Sequence, residues 1–181
     1  MENIYSGRAW VFGDNINTDI ISPPQYMELS IEDSAKYCMN AIRPEFSANV
    51  KKGDILVAGD NMGPGSSRET SPLTLKYLGI RIVIAKSFAR IFYRNCINIG
   101  IIALQCPDSK DIDDQDFLEV FPQKGLIVCK ERHKVWSCLP LPANLCELAE
   151  AGGLVAYLKQ KLNKRMSGMF FDFKRCGNLV P

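Results

Sequence analysis

Short apolar runs bounded by turn residues dominate the first two thirds of the chain. Arg8–Phe12 (RAWVF) reads as a strand running into the turn cluster Gly13-Asp14-Asn15. Ile20 and Ile21 read as a further short strand stopped by Pro23-Pro24. A loop follows over Ser22–Gln25, because proline lacks a backbone donor and biases the preceding residue away from helix. Ser30–Asn40 carries a helical pattern, with Ser30 as N-cap and Asp33 at the capping-box position. The run ILVAG after Gly53-Asp54 is short, apolar and turn-bounded, which predicts a buried strand. Pro72–Leu78 predicts a helix with Leu75 and Leu78 on one face and Gly79 as its stop. Ile80–Ala85 predicts a strand, Ser87–Asn95 a helix capped by Ser87 with Phe88, Ile91 and Phe92 on one face, and Ile99–Leu104 another strand.

This alternation predicts an α/β core between about Lys51 and Cys106. The pattern then changes. Phe117–Val120, Leu126–Cys129 and Lys134–Ser137 read as short strands joined by turns without long helices between them. Cys146–Leu162 is helical in pattern but interrupted by Gly152-Gly153. The remainder, with Met169, Phe170, Phe171 and Phe173, has no clear period. The expected organisation is one folded unit over 1–162 and a C-terminal appendage over 163–181 that covers an apolar patch or a partner.

Composition narrows the function classes. Of 181 residues, 46% are hydrophobic, enough to offset the ordering entropy of a folded domain. Lys and Arg number 22 against 20 Asp and Glu, so the formal net charge of +2 leaves no cation excess for a phosphate backbone. No apolar run approaches the ~18 residues of a membrane span, and MENIYSGRAWVFGDN lacks the basic-then-apolar build of a secretion signal. Seven cysteines, an odd number with no C-x-x-C pair, point to reduced thiols in a cytoplasmic protein and to no local metal site. They read as small buried hydrophobes. The single histidine, His133, lies among charges and reads as surface, so no Ser-His-Asp triad is expected.

Chemistry concentrates in GDNMGPGSSRE, Gly59 to Glu69, between a strand and a helix. Its glycines permit close backbone approach to a ligand. Ser66 and Ser67 offer hydroxyls, and Arg68 offers a planar fork suited to carboxylate. A dicarboxylate or phosphate would fit beside the helix start, whereas the missing G-K-[ST] disfavours a nucleotide loop. The alternative is an ordinary strand-to-helix turn in which Ser66 or Ser67 only caps the helix. A second candidate is Thr18-Asp19 in GDNINTDIISP, where Asp19 is equally readable as a turn aspartate.

Together, GDNINTDIISP, YCMNAIRPEF, VAGDNMGPGSSRE, IAKSFARIFYRNCINIG and AGGLVAYL resemble the small subunits of 3-isopropylmalate dehydratases. More broadly they resemble the swivelling β/β/α domain of the aconitase family, over about Val11 to Leu158. The resemblance implies an α/β fold, a compact sheet or barrel with flanking helices. It implies a hydro-lyase that dehydrates and rehydrates a substituted malate, a step of leucine biosynthesis, active only with a large subunit. That subunit would carry the [4Fe–4S] cluster, with no cofactor on this chain. By motif position, Ser66 corresponds to the base that abstracts the proton beside a carboxylate. Ser67 and Arg68 correspond to substrate contacts, and Thr18 with Asp19 to the supporting T-D pair. Tyr26, Met27, Glu28 and Leu29 lie where the family varies its choice of substrate side group. The chain departs from the common family pattern at Met62, Pro64, Thr70-Ser71 and the acidic Glu28. A 2,3-dimethylmalate or homoaconitate enzyme, or a non-catalytic regulatory paralogue, therefore stands as the alternative.

Overall fold

Unbroken apolar runs become strands covered on both faces. The computed structural model describes residues 4–66 and 69–163. In it β1 (Tyr5–Val11), β2 (Ile55–Ala58), β3 (Ile82–Ala85) and β4 (Ile102–Gln105) run parallel. β5 (Phe117–Phe121), β6 (Leu126–Cys129) and β7 (Lys134–Ser137) extend the sheet beyond β1 as an antiparallel meander. The strand order is β4-β3-β2-β1-β5-β6-β7. At one end the sheet curls back on itself: Leu139 N donates to Gln105 O at 2.8 Å, and the Cys106 thiol approaches Ser137 O. The result is a half-barrel with flanking helices.

Side chains alternate between two cores. Ala9, Ile55, Val57, Ile82, Ile84, Ile102 and Leu104 face the inside of the curl, where Leu118, Val120, Ile127 and Trp136 meet them. α6 (Ala143–Glu150) closes this core with Cys146, Leu148 and Ala149. Trp10, Leu56, Ala58, Val83, Ala85 and Ala103 face outward into a second core. This one is covered by α1 (Thr18–Ile21), α3 (Phe46–Asn49), α4 (Thr70–Tyr77) and α5 (Arg90–Ile99), and α2 (Ile31–Ala35) packs against α4. β2 and β3, the central parallel strands, are buried throughout, whereas β5 alternates buried and accessible positions, as an antiparallel strand with one wet face should.

Several local expectations shift by tertiary competition. Ile20 and Ile21 are helical, because Asn17 Oδ1 accepts from Ile20 N at 2.8 Å and caps α1. The 30–40 helix stops at Ala35; the chain then turns, with buried Met39 at φ +59°. Ser30 does cap it, its hydroxyl accepting from Asp33 N. Ser87 is not a helix cap, since its hydroxyl accepts from Asn61 N and α5 begins only at Arg90. The helix at 146–162 is two helices, α6 and α7 (154–163), divided at Gly152 and Gly153, both of positive φ. The expected appendage, apart from Asn163, lies outside the described residues.

One surface clasp ties the two halves of the sheet together. Arg43 lies 4.5 Å from the Trp10 ring centre and forks onto Asp114 at 2.8 and 2.7 Å, while Asp114 also accepts from Val11 N. The hydrogen bonds from Arg43 hold the Asp114 carboxyl below its ordinary value. Its stabilising effect is therefore complete above the unfolded value of about 4 and fades as pH falls through the lower folded value. Asp114 is 38% exposed, so solvent screening limits the effect. Asp114→Asn is expected to cost only about 1 kcal/mol at pH 7, with the gap to wild type narrowing below about pH 4. Urea melts at both pH values check this.

Candidate active-site loops

Two Gly-Asp-Asn turns follow the C-terminal ends of neighbouring parallel strands, 13–15 after β1 and 59–61 after β2. They bind each other. Gly59 N donates to Gly13 O at 3.1 Å, Asn15 N to Asp60 O at 2.8 Å, and Asp60 N to the Asp14 carboxylate at 2.7 Å. Asn61 donates its side-chain amide to Asn15 Oδ1 at 2.9 Å. Asn15 and Asn61 have φ of 56° and 55°, the left-handed region that asparagine tolerates better than most residues. Lys110 bridges Asp14 (3.0 Å) and Asp60 (3.8 Å), and Lys86 pairs with Asp60 at 2.8 Å. The backbone bond from Asp60 and the contact with Lys110 lower the Asp14 pKa; Lys86 lowers that of Asp60.

This double turn launches the two segments that meet at Ser66. Met62, fully buried, pairs with the chain at Phe88, and Gly63 N donates to Ile16 O at 2.7 Å. Thr18 N then donates to Pro64 O at 2.9 Å. Thr18, only 2% exposed, is the hub. Its hydroxyl accepts from Ser66 N at 3.2 Å and lies 3.4 Å from Ser66 Oγ, while its carbonyl accepts from the Ser71 hydroxyl at 3.1 Å. Gly65 makes the approach possible: φ is +121°, and a Cβ there would stand 2.5 Å from Thr18 Oγ1. A cleft of about 460 Å³, lined by Gly63, Gly65, Ala89, Arg90, Ile91 and Arg94, opens beside this loop.

The structure thus brings Ser66 and Thr18 together across 48 residues. Asp19 is exposed in the first turn of α1. Ser67 and Arg68 lie outside the described residues. No side-chain cap is made at the start of α4, whose N-cap is Glu69. Tyr26 ends a 3-10 turn, Pro24–Tyr26, and stacks on Tyr37 with ring centres 3.6 Å apart. Met27 is half-buried; Glu28 and Leu29 are exposed. Ser71, a departure from the family pattern, proves to be a buttress of Thr18. Asn15 and Asn61 were legible as a repeated tripeptide whose mutual contact the sequence does not state.

Among the described residues no three His, Cys, Asp or Glu side chains converge into a metal-holding group. Cys38, Cys96, Cys106, Cys129, Cys138 and Cys146 are buried; burial pushes the Cys138 thiol up to about 11 and raises those of Cys38 and Cys96 as well. Such thiols do not fit cluster ligation, which needs convergent thiolates. Nor is any helix among the described residues long and apolar enough to cross a membrane.

The Aconitase C-terminal domain family matches residues 14–109. A 3-isopropylmalate dehydratase small subunit of Archaeoglobus fulgidus is 51% identical over 84% of this chain and 96% of its own length. One from Methanosarcina mazei is 46% identical over 88% and 99%. The crystal structure of a 3-isopropylmalate dehydratase from Methanocaldococcus jannaschii superposes with a TM-score of 0.86 at 42% identity, over 92% of this chain and 99% of that one.

Proposed function

The chain belongs to the Aconitase C-terminal domain family and, within it, to the small subunits of 3-isopropylmalate dehydratase, and from this we propose that Ser66 is the base of its hydro-lyase reaction. It is a hydro-lyase subunit that works with a large subunit. The observation that carries the assignment is the seating of Ser66 against the buried Thr18 hydroxyl, directly after Gly65, which lines an open cleft.

The substrate is 3-isopropylmalate. Ser66 Oγ takes the proton from the carbon beside a carboxylate, that C–H pair becomes the new double bond, and the hydroxyl departs from the neighbouring carbon. Proton and hydroxide together make the water released; the reverse steps return it with the hydroxyl moved by one carbon. Serine is a weak base, so its alkoxide needs preorganised donors. Thr18 is one: its oxygen already accepts from Ser66 N, which leaves its own hydrogen available to Ser66 Oγ. We assign Ser67 and Arg68 to the carboxylate beside the reacting carbon, on their place in the motif, and Asp19 to support of that pair. The Tyr26–Leu29 turn, immediately after α1 and stiffened by the Tyr26–Tyr37 stack, selects the side group. A [4Fe–4S] cluster, which supplies Lewis acidity at the substrate hydroxyl, belongs on the large subunit, and the pair works in the cytoplasm, in leucine biosynthesis.

The test is turnover of this chain co-purified without oxygen with its large subunit, read as absorbance of the unsaturated product over a panel of substituted malates. Preference for 3-isopropylmalate is expected. Preference for 2,3-dimethylmalate or homoaconitate would move the side-group assignment. A stable pair inactive on the whole panel would overturn it in favour of a regulatory role.

A further inference from the structure

Arg90 and Arg94 stand one turn apart on α5, both exposed, and both line the cleft that Gly65 lines immediately before Ser66. A neighbouring cleft of about 350 Å³, with Phe88, Tyr93 and Gln105 in its wall, shares the same two arginines. Two other arginines hold carboxylates: Arg43 meets Glu45 and Asp114, and Arg132 meets Asp113 and Asp116. Among the described residues no carboxylate or other acceptor meets Arg90 or Arg94. Like charges four residues apart on a helix repel each other, so the arrangement is unfavourable until an anion sits between them. A concave site lined by one sign of charge also concentrates anions of small size, and a volume of about 460 Å³ suits a small molecule.

We propose that Arg90 and Arg94 form a second carboxylate subsite, holding the substrate carboxylate remote from the one assigned to Ser67 and Arg68. This rests on the reading of Ser66 as the base of a dicarboxylate hydro-lyase. The cleft wall runs from Gly65, the residue before Ser66, to this pair, so each carboxylate of a malate-type dianion would have its own cation. Guanidinium is suited to the task because its planar fork bonds a carboxylate through two N–H groups at once. Ile91, half-exposed on the same wall, keeps the cleft partly apolar, which strengthens charge-assisted bonds formed there.

The experiment compares Arg90→Gln, Arg94→Gln and the double variant in the anaerobically reconstituted pair. The expected result is a rise in KM for 3-isopropylmalate of about 10-fold for each single variant and roughly 100-fold for the double, with kcat changed far less. Arg94→Lys should recover part of the loss, since it keeps the charge without the fork. Arg81→Gln, at the other end of the parallel strands, should leave KM unchanged. A second readout is independent of turnover: 3-isopropylmalate should protect Arg90 and Arg94 of the pair from phenylglyoxal, read by peptide mass. An unchanged KM in the double variant, or no protection, overturns the subsite while leaving the Ser66 assignment standing. Weakened assembly with normal KM in what does assemble overturns it in favour of a contact with the large subunit. No turnover by the wild-type pair overturns both readings together.

Discussion

Ser66→Ala is expected to lower kcat of the reconstituted pair by about 10³-fold, with KM for 3-isopropylmalate changed by less than about threefold and assembly intact. The expectation follows from what the hydroxyl touches. Ser66 is half-buried, and its side-chain oxygen meets the Thr18 hydroxyl at 3.4 Å. Its backbone N–H, which anchors the loop to Thr18, survives the substitution. Truncation therefore removes the proton acceptor while leaving the loop held, and ~10³-fold corresponds to about 4 kcal/mol of lost transition-state stabilisation. Cysteine at the same position would restore an ionisable group of lower pKa but greater bulk, so partial activity with an altered pH profile is expected of Ser66→Cys. A Ser66→Ala pair retaining more than a tenth of wild-type kcat would remove Ser66 from the base role.

Gly65→Ala should have the next largest effect, and through a different route. At φ +121° any L side chain is strained, by about 1–3 kcal/mol. The added Cβ would also stand 2.5 Å from Thr18 Oγ1, and Thr18 cannot swing away because it is buried and bonded through its N–H, carbonyl and hydroxyl. The loop must yield instead, and Ser66 moves with it. A misplacement near 1 Å is enough to cost on the order of 10²-fold in rate, so kcat should fall by about that factor, with a drop in Tm of roughly 3–10 °C. Gly13→Ala is the control: a Cβ there meets nothing within 4 Å, so kcat should stay within about twofold. Wild-type kcat in Gly65→Ala would show that Ser66 and Thr18 need not be in register. Comparable losses in both variants would show instead that glycine is required for turn flexibility and not for the close approach.

Much of the architecture was legible because each strand's surroundings are written into its composition. The continuous apolar runs at 55–58, 82–85 and 102–104 are buried on both faces, and the alternation at 117–121 marks a strand with one wet face. The chain's short helices were less legible. Ile20-Ile21 has strand-like residues, but four residues carry no period, and the Asn17 cap decides for helix. Ser87 has the composition of a helix cap, yet the backbone N–H of Asn61, 26 residues away in the chain, claims its hydroxyl. Hydroxyls and amides choose among partners by proximity, and proximity between distant segments is not a local property.

The same division runs through the site. The sequence by itself determined the family, since the order GDN…TD, then GDN…GSSRE, then SFARIF identifies it, and it supplied the hydroxyls proposed for the chemistry and the asparagines that tolerate the αL region. Only the tertiary structure decided that the two Gly-Asp-Asn turns clasp each other, because parallel pairing of β1 with β2 sets their strand ends side by side. It alone made Thr18 the support of Ser66, turned Ser71 from an unexplained departure into the bond that holds Thr18, and set Arg90 and Arg94 along the cleft beside them. The physical reason is one of range: backbone preference and burial are read residue by residue, whereas hydrogen bonds and charge pairing depend on distances that exist only after the sheet has formed.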